Sequence, residues 1–199
     1  MSRSSVISAG SKTTAEAAAD VIHNGGNAFD AAVAGVFMSM VAEPALTSAG
    51  GGGYLLAYPE NRNPKLYDFF VNMPKGRCEK PDFFSIEIDF GDTQQEFYIG
   101  KGSVATPGNI AGLLYVQKKL GKIPLREVLI PSINAAKDGI ELNHHQTYIL
   151  DILKPIMCYS ENGKRIYYPN NQLIQSNELF KMEEFADFLE TLSREGEDF

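Results

Sequence analysis

No stretch of this 199-residue chain is apolar for long enough to cross a bilayer. The longest such run, Ala31 to Ala42, has twelve residues and contains Gly35 and Ser39, so it reads as a buried helix. The first residues, Met1-Ser-Arg-Ser-Ser-Val-Ile-Ser8, lack the apolar core of about 7–15 residues that marks a signal peptide, and as given the chain fits a cytoplasmic protein. Cysteine is scarce. Cys78 and Cys158 stand far apart and no CxxC spacing occurs, which argues against a zinc ribbon or a redox motif. Basic residues are outnumbered, 18 Lys plus Arg against 25 Asp plus Glu, for a net charge of −7. A chain of that sign is a poor binder of a phosphate backbone, so no nucleic-acid partner is expected. Of the net charge of −7, −6 falls between Glu178 and Phe199, where eight acids face two bases. Such a segment is either a solvated helix face or a partner-facing surface.

What is present is globular: 44% hydrophobic and 22% charged residues, with no internal repeat and no dividing linker. Val6 to Ala9 predicts a strand, and Thr13-Thr-Ala-Glu16 predicts a capping box opening a first helix that Gly25 ends in the left-handed conformation. Asn27 predicts a cap, with Asp30 in the first turn, for a second helix over about Ala28 to Ala42. Tyr54–Tyr58 and Lys65–Val71 predict an antiparallel hairpin, and Ile86–Phe90 with Glu96–Ile99 a second strand pair. Further helices are predicted after Thr106-Pro107, over Leu125–Asp138 with Pro131 inside, over His144–Leu153, and over Glu178–Glu195. Asn162-Gly163 and Pro169-Asn-Asn171 predict a loop region.

Local chemistry is sparse. Four glycines, Gly50 to Gly53, form the strongest signal. No Lys-Ser/Thr and no helix follow them, and Leu55 occupies the third glycine position of a dinucleotide fingerprint, so neither nucleotide motif is met. The run is either backbone that needs positive φ in a tight approach or a loop that lets substrate reach main-chain N–H groups. His144 and His145 are adjacent and point about 100° apart on a helix, which suits no shared metal. His23 lies near a helix end, where it can interact with terminal carbonyls. No Ser or Thr has a sequence context that marks it as activated by a base.

Taken in order, several segments resemble the gamma-glutamyltranspeptidase family. They are Thr14-Ala-Glu-Ala-Ala18, Asn24-Gly-Gly-Asn-Ala-Phe-Asp-Ala-Ala-Val33, Glu43-Pro44, Gly50-Gly-Gly-Gly-Tyr54, Gly102-Ser-Val-Ala-Thr-Pro-Gly108, Ala111-Gly-Leu-Leu114, Gly121-Lys-Ile-Pro124, Ala136-Lys-Asp-Gly139 and Glu195-Gly196 with Phe199. The resemblance implies an α+β fold, an N-terminal-nucleophile (Ntn) hydrolase-like αββα sandwich, of which residues 1–199 supply the front part of the large subunit. As a single incomplete domain it divides into a helix pair plus strands over residues 1–100 and a mainly helical portion over 101–199.

The family's precursors cut themselves into two subunits, and the Thr that begins the small subunit attacks a gamma-glutamyl amide, its own α-amino group serving as base. By the resemblance that Thr lies downstream of this chain, so no catalytic residue is expected here. Partners are then a small-molecule amide, the rest of the large subunit and the small subunit, with self-association of the piece through bared apolar surface. No metal or organic cofactor is implied. Many family members are exported, which sets against the missing leader. The alternative to an enzyme piece is a non-catalytic remnant acting as a binding or scaffold module.

One departure matters. The family's strand after the glycine-rich loop carries an Arg that holds the glutamyl α-carboxylate. This sequence reads Tyr67-Asp-Phe-Phe-Val-Asn-Met-Pro74, with Phe70 at the Arg position. Phe offers neither charge nor donor, whereas Arg grips a carboxylate with two parallel bonds. Losing such a contact costs on the order of 2–5 kcal/mol. Arg77, seven residues on, is the nearest replacement. A less charged or aromatic acyl group suits Phe70 better.

Overall fold

The computed structural model describes residues 5–76 and 78–199. In chain order these form α1 (Lys12–His23), α2 (Ala28–Ala42), β1 (Gly53–Ala57), β2 (Lys65–Phe69), β3 (Phe84–Asp89), β4 (Gln94–Ile99), α3 (Asn109–Leu120) and α4 (Leu125–Asp138). There follow β5 (Ile140–Glu141), α5 (His144–Ile152), α6 (Lys154–Met157), α7 (Glu161–Tyr167), β6 (Leu179–Phe180) and α8 (Glu183–Glu195). The described strands pair antiparallel as β1-β2, β3-β4 and β5-β6. Two compact units result: Met1–Phe70 with Pro107–Gly139 and Lys181–Phe199, and Val71–Thr106 with Ile140–Phe180.

The first unit is built around α2. That helix is apolar on nearly every side, and Val33, Ala34, Phe37, Met40 and Val41 are buried. Val21 of α1, Leu113 and Val116 of α3, Leu129 of α4 and Leu189 of α8 complete the same core. Helix α8 buries Ala186, Leu189 and Leu192 and turns its acids outward. Glu190 pairs with Lys137 of α4, and Glu197 meets Lys118 of α3 at 2.6 Å. Part of the acidic tail therefore faces the chain's own lysines. Exposed pairs of this kind contribute about 0–1 kcal/mol each.

An almost wholly apolar helix carries its positional information at its ends. Asn27 caps α2 as predicted, its Oδ1 accepting from Phe29 and Asp30 N–H at 2.8 and 3.0 Å. Asp30 returns the bond from Asn27 N–H at 2.9 Å and also accepts from Lys122 N–H at 2.8 Å. The Asn27 amide donates to the Leu120 carbonyl at 2.7 Å. Helix α2 is thereby tied to the turn between α3 and α4. A Cβ on Gly121 in that turn would lie 2.5 Å from Asp30 Oδ1.

In the second unit, Phe84, Ile86, Ile88, Phe97 and Ile99 are the more buried positions of the β3–β4 ribbon. Leu142, Leu150, Leu173, Ile174 and Phe180 form the rest of its buried apolar set, with Tyr167 stacked on Phe180 at 5.8 Å.

Several expected boundaries move. Val6–Ala9 forms no strand, and Val6 is 96% exposed. Helix α1 is capped by Ser11, which accepts from Thr14 N–H at 3.1 Å, so the expected cap Thr13 lies inside the helix; the Thr14 hydroxyl donates to Glu43. Helix α3 starts at Asn109 because Thr106 is held in a two-bond bridge to Asn72. Asn162-Gly163 is helical, capped by Ser160, not loop. The last helix begins at Glu183, since Leu179 and Phe180 pair with Glu141 and Ile140.

Replacing the fully buried Asp30 by Ala removes two charge-assisted bonds and strands two N–H groups. Asp30→Ala is expected to lower the stability of the intact protein by about 3 kcal/mol or more. Asp20→Ala, at an exposed position of α1, should stay within about 0.5 kcal/mol. Urea midpoints of the two variants check the contrast.

Candidate functional site: the β1–β2 hairpin and its glycine loop

The hairpin register pairs Gly53 with Phe69, Tyr54 with Asp68, Leu55 with Tyr67, Leu56 with Leu66 and Ala57 with Lys65. Alternation then sorts the side chains to two faces. Leu55, Tyr67 and Phe69 pack against the core of the first unit, and Tyr67 meets Tyr115 of α3 at 6.1 Å. Tyr54, Leu56, Leu66 and Asp68 point the other way, with Phe70 next in line on that face. Leu56 is 71% exposed and Phe70 51% exposed.

Strand β2 crosses the start of α3 at very close range. A Cβ on Gly108 would lie 2.0 Å from the Phe69 carbonyl oxygen, and one on Gly112 2.2 Å from the Phe69 ring. Only glycine fits at either position. The glycine run lies beside the same helix start. The Gly51 carbonyl accepts from Gly108 and Asn109 N–H at 3.0 and 3.1 Å, and the buried Asn109 amide donates to the Ser48 carbonyl at 2.7 Å. None of Gly50 to Gly53 has positive φ, so that part of the sequence reading is corrected. The close approach does occur: a Cβ on Gly51 would stand 3.1 Å from Asn109 Nδ2, and one on Gly53 3.4 Å from the Phe69 ring.

Phe70 is thus held by its backbone. Its N–H donates to Asp68 Oδ1 at 3.0 Å, and its ring stacks on Tyr54 with centroids 5.5 Å apart and planes 10° apart. The result is a two-ring platform at the open end of the hairpin. The single charge among the strand residues of this face is the Asp68 carboxylate, which repels anions. Arg77, the other candidate from the sequence, lies outside the described residues. The Tyr54 ring was not singled out from the sequence. The signal was its position: one ladder step and one diagonal from Phe70 once the hairpin register is set.

His23 closes α1, and His144 and His145 open α5. Among the described residues no group of three or more His, Cys, Asp or Glu is placed to hold a metal. No described helix is long and apolar enough to cross a membrane. Burial pushes the Cys158 thiol above its ordinary range, against the smaller pull of the Lys154 and Lys164 ammoniums, which disfavours a thiolate there.

The chain matches the gamma-glutamyltranspeptidase family over residues 14–199. It is 28% identical over 190 residues to the glutathione hydrolase proenzyme of Escherichia coli (strain K12), covering 94% of this chain and 32% of that protein. It is 29% identical over 191 residues to the capsule biosynthesis protein CapD proenzyme of Bacillus anthracis, covering 96% and 32%. The crystal structure of the B. anthracis transpeptidase CapD matches with a TM-score of 0.79 at 26% identity, over 98% of this chain and 59% of that one. The chain spans about a third of the length of these curated relatives. The α+β, Ntn-hydrolase type of fold expected from the sequence holds. On the match over residues 14–199, this chain belongs to the gamma-glutamyltranspeptidase family and corresponds to the N-terminal portion of its large subunit.

Proposed function

We propose that the intact protein is an amidohydrolase or acyltransferase whose acyl-enzyme forms on a threonine supplied by the small subunit, outside residues 1–199. The acyl group lies against Phe70, and it is a gamma-glutamyl relative that lacks the charged α-carboxylate, or an aromatic acyl group. The stacked Tyr54–Phe70 pair carries this reading. A carboxylate brought to that platform finds an apolar ring and the Asp68 carboxylate in place of a guanidinium. An apolar or flat acyl group gains area on two rings already held parallel, and ring pairs of this kind add about 0.5–1.5 kcal/mol beyond burial.

In Phe70→Arg of the intact protein, turnover of a gamma-glutamyl anilide should rise on the order of 30-fold or more, the low end of a 2 kcal/mol contact. Hydrolysis of the matching phenylacetyl anilide should fall in the same variant. No change in the ratio of kcat/KM values for the two anilides removes Phe70 as the specificity determinant. No turnover of any amide by the intact native protein favours the non-catalytic remnant.

The same face supports a partner within this reading. Tyr54, Leu56, Tyr58, Leu66 and Phe70 leave an exposed apolar strip on the hairpin. The relatives are proenzymes about three times the length of this chain. We assign the strip to the rest of the precursor, which packs a second sheet layer on it. At roughly 25 cal/mol per Å², an area of about 500 Å² corresponds to ~12 kcal/mol, an upper estimate comparable with a whole domain's stability. Residues 1–199 produced alone should therefore self-associate in sedimentation, and Leu56→Lys with Leu66→Glu should reduce the association. A cooperative, monomeric melt of residues 1–199 contradicts this assignment.

A further inference from the structure

A cavity of about 500 Å³ opens in the second unit, lined from α6, α7 and the turn that follows them. Its lining carries two cations, Lys154 and Lys164, and no carboxylate among the described residues. Lys154 is half-buried. Its Nζ sits 4.6 Å from the centroid of the Tyr168 ring, and it makes no ion pair with a described residue. A ring face attracts an ammonium but gives it no acceptor oxygen. Lys164 donates to Glu161 Oε1 at 2.8 Å, and that Glu161 side chain is 89% exposed. Both ammoniums act on the Cys158 thiol of the same lining, which burial nonetheless pushes up. Asn171 adds to the lining from the turn Pro169–Asn171, where Asn170 and Asn171 hold left-handed φ of 55° and 59°. Side chains other than glycine held in that region cluster at binding sites.

These donors suit an anion of a particular kind. A lysine is a point charge with three rotatable donors, which matches the rounded charge of a phosphate, whereas the arginine fork matches a planar carboxylate. Lys154, with the donors that Glu161 leaves on Lys164, can serve several oxygens of one phosphate. A bare phosphate is much smaller than this cavity, whose volume is that of a small-molecule site. Pro155, the Tyr168 ring and the Cys158 side chain give an apolar wall to whatever the phosphate is attached to. We propose that this cavity binds a phosphate monoester of a small apolar or aromatic molecule, with Lys154 and Lys164 taking the phosphate and Pro155 and Tyr168 taking the apolar body. The site lies within the second unit and does not depend on the reading of Phe70.

Calorimetric titration of the intact protein with phenyl phosphate tests it, with inorganic phosphate and benzoate as controls. The expected result is saturable binding of phenyl phosphate, about tenfold or more tighter than that of either control. Lys154→Gln should weaken it by about tenfold or more, the loss of one charged hydrogen bond. Glu161→Gln releases the Lys164 ammonium and should tighten it by about twofold or more. The two cysteines locate the site. Bound phenyl phosphate should slow the alkylation of Cys158 by iodoacetamide and leave that of the exposed Cys78 unchanged, as read by mass spectrometry. Each of the following overturns the proposal: no saturable heat with phenyl phosphate, equal binding of either control, unchanged binding by Lys154→Gln, no gain in Glu161→Gln, or unchanged alkylation of Cys158.

Discussion

The crossing of β2 over the start of α3 is the contact from which the hairpin takes its orientation. Backbone meets backbone there, with no room for a Cβ at Gly108 and none at Gly112 beneath the Phe69 ring. Two N–H groups at the start of α3 then hold the Gly51 carbonyl, and Asn109 holds that of Ser48. The loop before β1 and the end of β2 are fastened to one helix terminus. With Phe69 pressed inward, strand alternation sends Phe70 outward. The direction of that ring is a backbone consequence of two glycines on another element, and its stacking on Tyr54 follows from the register.

The apolar helix α2 poses a different problem. Its sides can slide or rotate against several apolar neighbours at little cost, because burial is not directional. Position is set where polar groups must be satisfied, at the Asn27–Asp30 end and the Glu43 end. At the first, a fully buried carboxylate meets two N–H groups, one of them from the turn after α3. At the second, Glu43 takes the Thr14 hydroxyl from α1. A buried acceptor left unpaired costs about 1–3 kcal/mol, more when charged, which is enough to select one register for the helix.

How much of this could be read from residues alone depended on whether the partner was near in sequence. Asn27 and Asp30 lie three apart, so the cap at Asn27 with Asp30 in the first turn was legible, as were the apolar run of α2 and the alternating strands of the hairpin. The cap of α1 was misplaced to Thr13 because Ser11, two residues earlier, accepts from Thr14 N–H and starts the helix at Lys12. The start of α3 was misplaced because Asn72 holds Thr106. Leu179 continued the helical spacing of α8, but Ile140 and Glu141 pull that segment into a ladder. At the candidate site, Phe70 was visible as a residue type out of pattern, while the Tyr54 ring beside it follows only from the exact hairpin register.

On the proposed reading, one apolar strip would serve a partner and a substrate together, and the end of the hairpin shows how. The ladder closes at the Gly53–Phe69 pair, so Phe70 lies one residue past it and Tyr54 one residue inside. Leu56 and Leu66, paired across the ladder, occupy the middle of the exposed face. A second sheet layer packed on that face covers the leucines first, since stacked sheets approach to about 10 Å and exclude water from the centre of the contact. The Tyr54–Phe70 pair would fall at the rim of that proposed layer, beside the glycine loop that α3 anchors. An aromatic pair at such a rim is dry on one side and open on the other, and its two rings are already parallel. The acyl group proposed above would bind there without rearranging either strand. A guanidinium at position 70 would select instead for a charged group at the same rim, while the buried contact between the layers stayed the same.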